Sequence, residues 1–184
     1  MAIKLVLVRH GEATWNRLGK IQGQVHTPLT DQGKIQAQQL AHELKTQKID
    51  KIYSSKLLRA QQTAEIIQKH VKAPVFYDHG LGAREFGDFS GQTIQAVESG
   101  YPKLVEDWYA KKPEFRPPNG ESTQEFLERT AKFLDKLANN DNNDKTVLLV
   151  THREVIQMAI HLISQTPLSE LKLAKNCQKY ELIL

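Results

Sequence analysis

The chain has one cysteine, Cys177, among its 184 residues. No disulfide can form within it, so a cross-linked mini-domain is excluded. A lone thiol near a C-terminal strand is expected to be a small packing residue and not a nucleophile. Apolar runs are short. The opening "MAIKLVLV" is shorter than a signal peptide and lacks a small-residue cleavage site, and no stretch reaches membrane-spanning length. These absences point to a soluble, cytoplasmic protein without a membrane partner. The net charge is +4, yet no block of five like charges occurs. No nucleic-acid partner is therefore expected. The densest basic stretch, Lys111, Lys112 and Arg116, is broken by Pro113 and Glu114 and reads as a solvated loop. No HExxH or related spacing is present, so no metal site is expected.

What is present suits one domain, residues 1–184, with a sizeable core. "IKLVLV", "KIYSS", "APVFY" and "KTVLLVTH" read as strands, and "CQKYELIL" as a final one. Pro28 and Gly33 bracket a turn. Thr30 can cap a helix that repeats Ala37, Leu40, Ala41 and Leu44 at helical spacing. Ser55 can cap a second, with Leu57, Ala60, Ala64 and Ile67 on one face. Ser122 and Glu125 form a capping box for a third, with Phe126, Ala131, Leu134 and Leu137. Val155 to Ile163 is an apolar helix. Strands alternating with helices predict an α/β fold, a three-layer α/β/α sandwich around a mostly parallel sheet.

Residues 80–121 break this alternation. The segment holds five of the ten glycines before Gly120 closes it, and four of the seven prolines. Short helical patterns lie at Gln92–Glu98 and Lys103–Tyr109. An insertion this long in a compact domain is expected to be a lid or binding wall.

Two strands end alike, at Arg9-His10 and at Thr151-His152. Ligands of open α/β sheets bind beyond the carboxyl ends of the strands, and helix N-termini there favour anions. Arg59, one turn into the helix after "KIYSS", can reach the same edge. Two histidines and two arginines then converge on a space that suits a phosphoryl group, which guanidinium forks bind bidentately. His42, His70, His79 and His161 have no partners in sequence and read as structural. His26, in a turn, could be either.

"RHGEATWN" resembles the signature of the histidine phosphatase superfamily, the phosphoglycerate mutase-like enzymes. "QGQVHTPLTDQGKIQA", "SSKLLRAQQTA", "NGES" with Arg129 downstream, and "VTH" are similar to the family's later segments, in order along nearly the whole chain. The resemblance implies a two-step reaction on a small phosphorylated substrate. His10 would attack phosphorus and become phosphohistidine. Arg9, Arg59 and His152 would hold the equatorial oxygens, with Asn16 as a further donor. Gln22 and Gly23 belong to the substrate-binding segment. Gly11 would let the backbone approach the phosphate, and a backbone carbonyl should fix the His10 tautomer. No cofactor or metal is implied, since the arginines supply the countercharge. Cofactor-dependent phosphoglycerate mutases also resemble the chain but usually carry longer insertions and a longer tail.

The chain departs from the family twice. The usual glutamate of "L-x-E-R-x-x-G", which protonates the leaving oxygen, aligns without gaps on Ala83. Glu85, two residues on, could take its place, as could Asp88 or water. Alternatively, Ala83 is an engineered loss of the acid, or marks an impaired, phosphate-binding regulator. The second departure is Arg153, where many members have glycine. It could favour a substrate with a second anionic group, or face Glu154 or solvent.

Overall fold

The structure is a computed structural model that describes residues 2–140 and 142–184. Five strands, β1 (Lys4–Arg9), β2 (Lys51–Ser55), β3 (Val75–Asp78), β4 (Thr146–Thr151) and β5 (Lys179–Ile183), form one sheet in the order β3-β2-β4-β1-β5. β1, β2, β3 and β4 run parallel, and β5 pairs antiparallel with β1 at one edge. The described residues form seven α-helices, of which α2, α3, α6 and α7 cover the sheet: α1 (Thr14–Arg17), α2 (Asp31–Leu44), α3 (Leu58–Val71), α4 (Ile94–Gly100), α5 (Pro102–Tyr109), α6 (Thr123–Asn139) and α7 (Arg153–Ser164).

Strand periodicity explains the layers. In β1, Leu5 and Leu7 join Leu149 and the apolar faces of α6 and α7, while Val6 and Val8 join Leu148, Val150 and residues of α2 and α3. Successive side chains point to opposite faces, so both faces need helical cover. α2 starts from the Thr30 cap and buries Ala37, Leu40, Ala41 and Leu44, as its spacing predicts. The Ser122–Glu125 capping box opens α6. On that helix Phe133 is buried and Ala131 only half so. Ser55 does not cap α3, whose cap position is Leu57. Its hydroxyl accepts the Leu57 N–H and turns toward His152 instead.

Gly33 lies inside the first turn of α2, not at the edge of a turn. A Cβ on Gly33 would sit 2.0 Å from the Glu12 carbonyl oxygen, and one on Gly11 would sit 2.5 Å from the Gly33 oxygen. The two glycines thus let the loop after β1 lie against α2. This packing by itself requires glycine at position 11. Gly33→Ala is expected to cost at least about 1–3 kcal/mol through overpacking. An unchanged urea midpoint would remove that reading.

Residues 80–121 form a small layer of their own, with α4, α5 and two single 3-10 turns at His79–Leu81 and Gly87–Phe89. Ile21, Phe86, Phe89, Val97, Val105, Trp108 and Phe115 make a separate apolar cluster beneath it. The segment is a packed wall rather than a loose loop. Among the described residues, no helix is long and apolar enough to cross a membrane.

Candidate active site

Because β1, β2 and β4 are parallel, their carboxyl ends share one edge, and a cavity of about 610 Å³ opens there. Arg9 and His10 reach it from β1, Arg59 from the second residue of α3, and His152 from the cap position of α7. All four are at least nine-tenths buried. The His10 and His152 ring centroids are 5.1 Å apart.

The hydrogen bonds settle the state of His10. Its Nδ1 lies 2.7 Å from the Gly11 carbonyl oxygen, which can only accept, so Nδ1 carries the proton. Nε2 is left with its lone pair, toward which Arg59 Nε donates at 3.3 Å. For His152, Nε2 lies 2.9 Å from Ser55 Oγ. That hydroxyl also accepts the Leu57 N–H. His152 Nδ1 is buried and without a hydrogen-bond partner. His10, with its Nε2 lone pair, and His152 both line the same cavity.

Electrostatics point the same way. Burial, then the charges of Arg59 and Arg9, hold His10 well below the usual imidazole range, and burial and Arg59 do the same for His152. Both rings are neutral near pH 7. Burial, then Arg153 and Arg59, brings Arg9 down to about 9, and burial brings Arg59 to about 10. Both remain charged at neutral pH, and Arg9 lies close to the like charges of Arg59 and Arg153. Arg59 is anchored by donating to the Val25 and Gly23 carbonyls at 2.7 and 2.8 Å, and Arg9 Nη1 donates to Ala174 O at 2.8 Å.

Neutral burial of the two imidazoles has a pH signature. Unfolding returns each to the ordinary value of 6.5. Below that, the unfolded chain takes up protons that the folded chain refuses, so stability falls as pH falls. Each histidine contributes a slope of about 1.4 kcal/mol per pH unit until its folded value is reached. Urea unfolding at a series of pH values between about 7 and 5 should show a shallower slope in His152→Ala than in the native chain; equal slopes would refute the neutral state.

Of the other expected residues, Asn16, Gln22, Gly23, Arg153 and Ala83 line the cavity. Asn16 Oδ1 accepts the Ala13 N–H, which leaves its amide nitrogen free to donate. Gln22 Oε1 is held by the Thr27 hydroxyl. Arg153 turns into the cavity; the Glu154 carboxylate is occupied by other cations. Gly11 is not part of the lining. Nor is Glu85, whose Oε1 accepts the Gly87 N–H at 3.3 Å, which points it at the neighbouring turn. Asp88 is exposed and accepts from Asn119 Nδ2 at 3.1 Å. The loop that carries Ala83 is pinned: Arg129 donates to the carbonyls of His79, Gly80, Gly82 and Ala83, Gln24 also donates to Ala83, and Thr151 donates to Leu81.

Several contributors had no local signal. Glu154, in the first turn of α7, takes Arg84 Nε at 3.3 Å, Lys111 Nζ at 3.6 Å and the Trp108 indole at 3.2 Å. Burial raises its pKa, but Arg84 and then Lys111 and Trp108 outweigh that and keep it ionised. Lys111 therefore belongs to the cavity wall and not to a solvated loop; Lys112 pairs with Asp107 and Arg116 with Glu125. Cys177 packs against the core, with its thiol pushed up to about 12 by burial, as a structural residue should be. His161 accepts no role at the cavity; its Nδ1 donates to the Thr166 carbonyl at 2.8 Å. Among the described residues no three metal-ligating side chains cluster.

The sequence model of the histidine phosphatase superfamily (branch 1) matches residues 5–182. The chain belongs to this superfamily. Its relatives include phosphoglycerate mutase-like protein 4 of Arabidopsis thaliana, 36% identical over 157 residues, which cover 84% of this chain and 68% of that protein. Phosphoserine phosphatase 1 of Hydrogenobacter thermophilus is 33% identical over 150 residues, covering 82% and 71%. Among solved structures, mycobacterial glucosyl-3-phosphoglycerate phosphatase superposes with a TM-score of 0.87 at 26% identity, over 100% of this chain and 91% of that one. The same mycobacterial protein has been solved with VO3 and with inorganic phosphate. Phosphatases among both sequence and structural relatives support a phosphatase. In this member of the superfamily, His10 and His152 follow the ends of the neighbouring parallel strands β1 and β4.

Proposed function

We propose that the chain is a metal-independent phosphomonoesterase that acts on small phosphorylated metabolites through a phosphohistidine at His10. The observation that carries this reading is His10 itself. It is neutral, with its proton fixed on Nδ1 by Gly11 O, and its Nε2 lone pair faces a cavity bordered by Arg9, Arg59 and Arg153. A phosphoryl dianion relieves the crowding of those cations, and the buried guanidinium and imidazole donors need no rearrangement as charge develops on its oxygens. That the mycobacterial neighbour forms complexes with VO3 and with inorganic phosphate supports a phosphoryl ligand.

In the first half-reaction Nε2 attacks phosphorus and the P–O bond to the ester breaks. In the second, water attacks phosphorus and the N–P electrons return to Nε2. Arg9, Arg59, Asn16 and His152 hold the phosphoryl oxygens throughout. Free phosphate is the product; a mutase would instead return a rearranged ester.

The test is to quench the enzyme during turnover of p-nitrophenyl phosphate, with a chelator present. Acid-labile, base-stable phosphate should be found on His10, and the chelator should leave the rate unchanged. Turnover without phosphohistidine would overturn the reading, and loss of rate with chelator would overturn metal independence.

A further inference from the structure

The same cavity also constrains what can leave. Among the described residues that line it, Glu154 is the one carboxylic acid, and it is locked as a carboxylate between Arg84 and Lys111. It has no proton to give. Ala83 presents a methyl group, and the clamp of Arg129, Gln24 and Thr151 holds its loop in place. Glu85 and Asp88 serve backbone and Asn119 partners outside the cavity. The buried imidazoles are neutral.

Part of the wall, beside these charged groups, is apolar and aromatic. Ile21, Phe86 and Trp108 line it from the cluster under residues 80–121, with the Phe86 and Trp108 ring centroids 5.0 Å apart. Ile94, Tyr109 and Leu173 border it as exposed apolar side chains. Such a surface suits a flat, apolar leaving group.

We infer that the substrate is a monoester whose leaving group departs as a stabilised oxyanion, an aryl phosphate, and that alkyl phosphates are poor substrates. This rests on the phosphohistidine reading above. A phenol ionises near the tyrosine value of about 10, whereas an alkanol ionises only far above that, close to bulk water. Nε2 forms the N–P bond as the P–O bond breaks, and the electron pair leaves on the phenolate, which solvent protonates afterward. Water then attacks phosphorus, the N–P pair returns to Nε2, and the water's proton passes to solvent, leaving inorganic phosphate.

The experiment compares kcat/KM for p-nitrophenyl phosphate, phenyl phosphate and glycerol phosphate on the native chain, Ala83→Glu and Ala83→Gln. The native chain should prefer the aryl esters by at least about 10²-fold, the lower range of what general acid catalysis supplies. Ala83→Glu should raise the ratio of alkyl-ester to nitrophenyl-phosphate kcat/KM by about 10²- to 10⁴-fold. Ala83→Gln, with the bulk but not the proton, should gain nothing. An alkyl ester turned over by the native chain within about tenfold of phenyl phosphate overturns the inference, even if Ala83→Glu fails to fold. That result would leave the phosphohistidine reading standing. Failure of all three esters on the native chain would overturn both.

Discussion

His10→Ala is expected to reduce phosphatase turnover by about 10⁴-fold or more, the scale on which removal of an enzyme's nucleophile acts. The loss should fall on chemistry and not on folding. His10 is buried as a neutral ring among cations, and its removal takes a desolvated polar group out of the site. Arg9 and Arg59 are held by the carbonyls of Ala174, Val25 and Gly23, none of which depends on the imidazole. The variant should therefore still bind inorganic phosphate, read as a rise in melting temperature with added phosphate. Retained turnover with intact phosphate binding would place the nucleophile elsewhere. Loss of turnover together with phosphate binding would mean that His10 organises the site and that its chemical role is unproven.

Arg84→Met should be the most costly single change to stability. Arg84 is fully buried, lies over the rings of Phe86, Phe115 and Phe126, and pairs with Glu154. Removing one member of a buried pair leaves the other charge uncompensated, a loss of about 3–5 kcal/mol. Lys111 and the Trp108 indole remain on Glu154 and moderate the loss without replacing the guanidinium. The double variant Arg84→Met/Glu154→Gln should recover much of it, since no carboxylate is then left buried. Urea unfolding of both variants measures this. A single-variant loss below about 1 kcal/mol would show the pair to be weak. The same ion pair joins the 80–121 wall to the helix that begins beside His152. Arg84→Met should for that reason also raise KM more than it lowers kcat.

Much of the fold follows from local pattern. Apolar residues recur at helical spacing in α2 and α6, side chains alternate in and out along β1, and Thr30 and Ser122 satisfy the first backbone N–H groups of their helices. These are interactions over a few residues, so the chain carries them on its surface as sequence. Ser55 was misread for the same reason. A hydroxyl before a helix has a local use as a cap, and its distant use, against His152 across 97 positions, leaves no mark nearby. Gly11 is similar: the backbone it accommodates belongs to Gly33, 22 positions away in the chain.

That Arg9, His10 and His152 meet at one edge was legible from the sequence alone, because a parallel sheet brings strand ends together whatever the details of packing. So was the alanine at position 83, where the family resemblance leads one to expect a glutamate. Only the tertiary structure decided what surrounds them. It turned Glu85 and Asp88 away from the cavity, drew Lys111 out of a basic run onto a buried carboxylate, and placed Ala83 under the clamp of Arg129. Those outcomes depend on contacts between residues tens of positions apart. There burial, charge pairing and backbone approach are settled by the whole packed chain, and local propensity has no say.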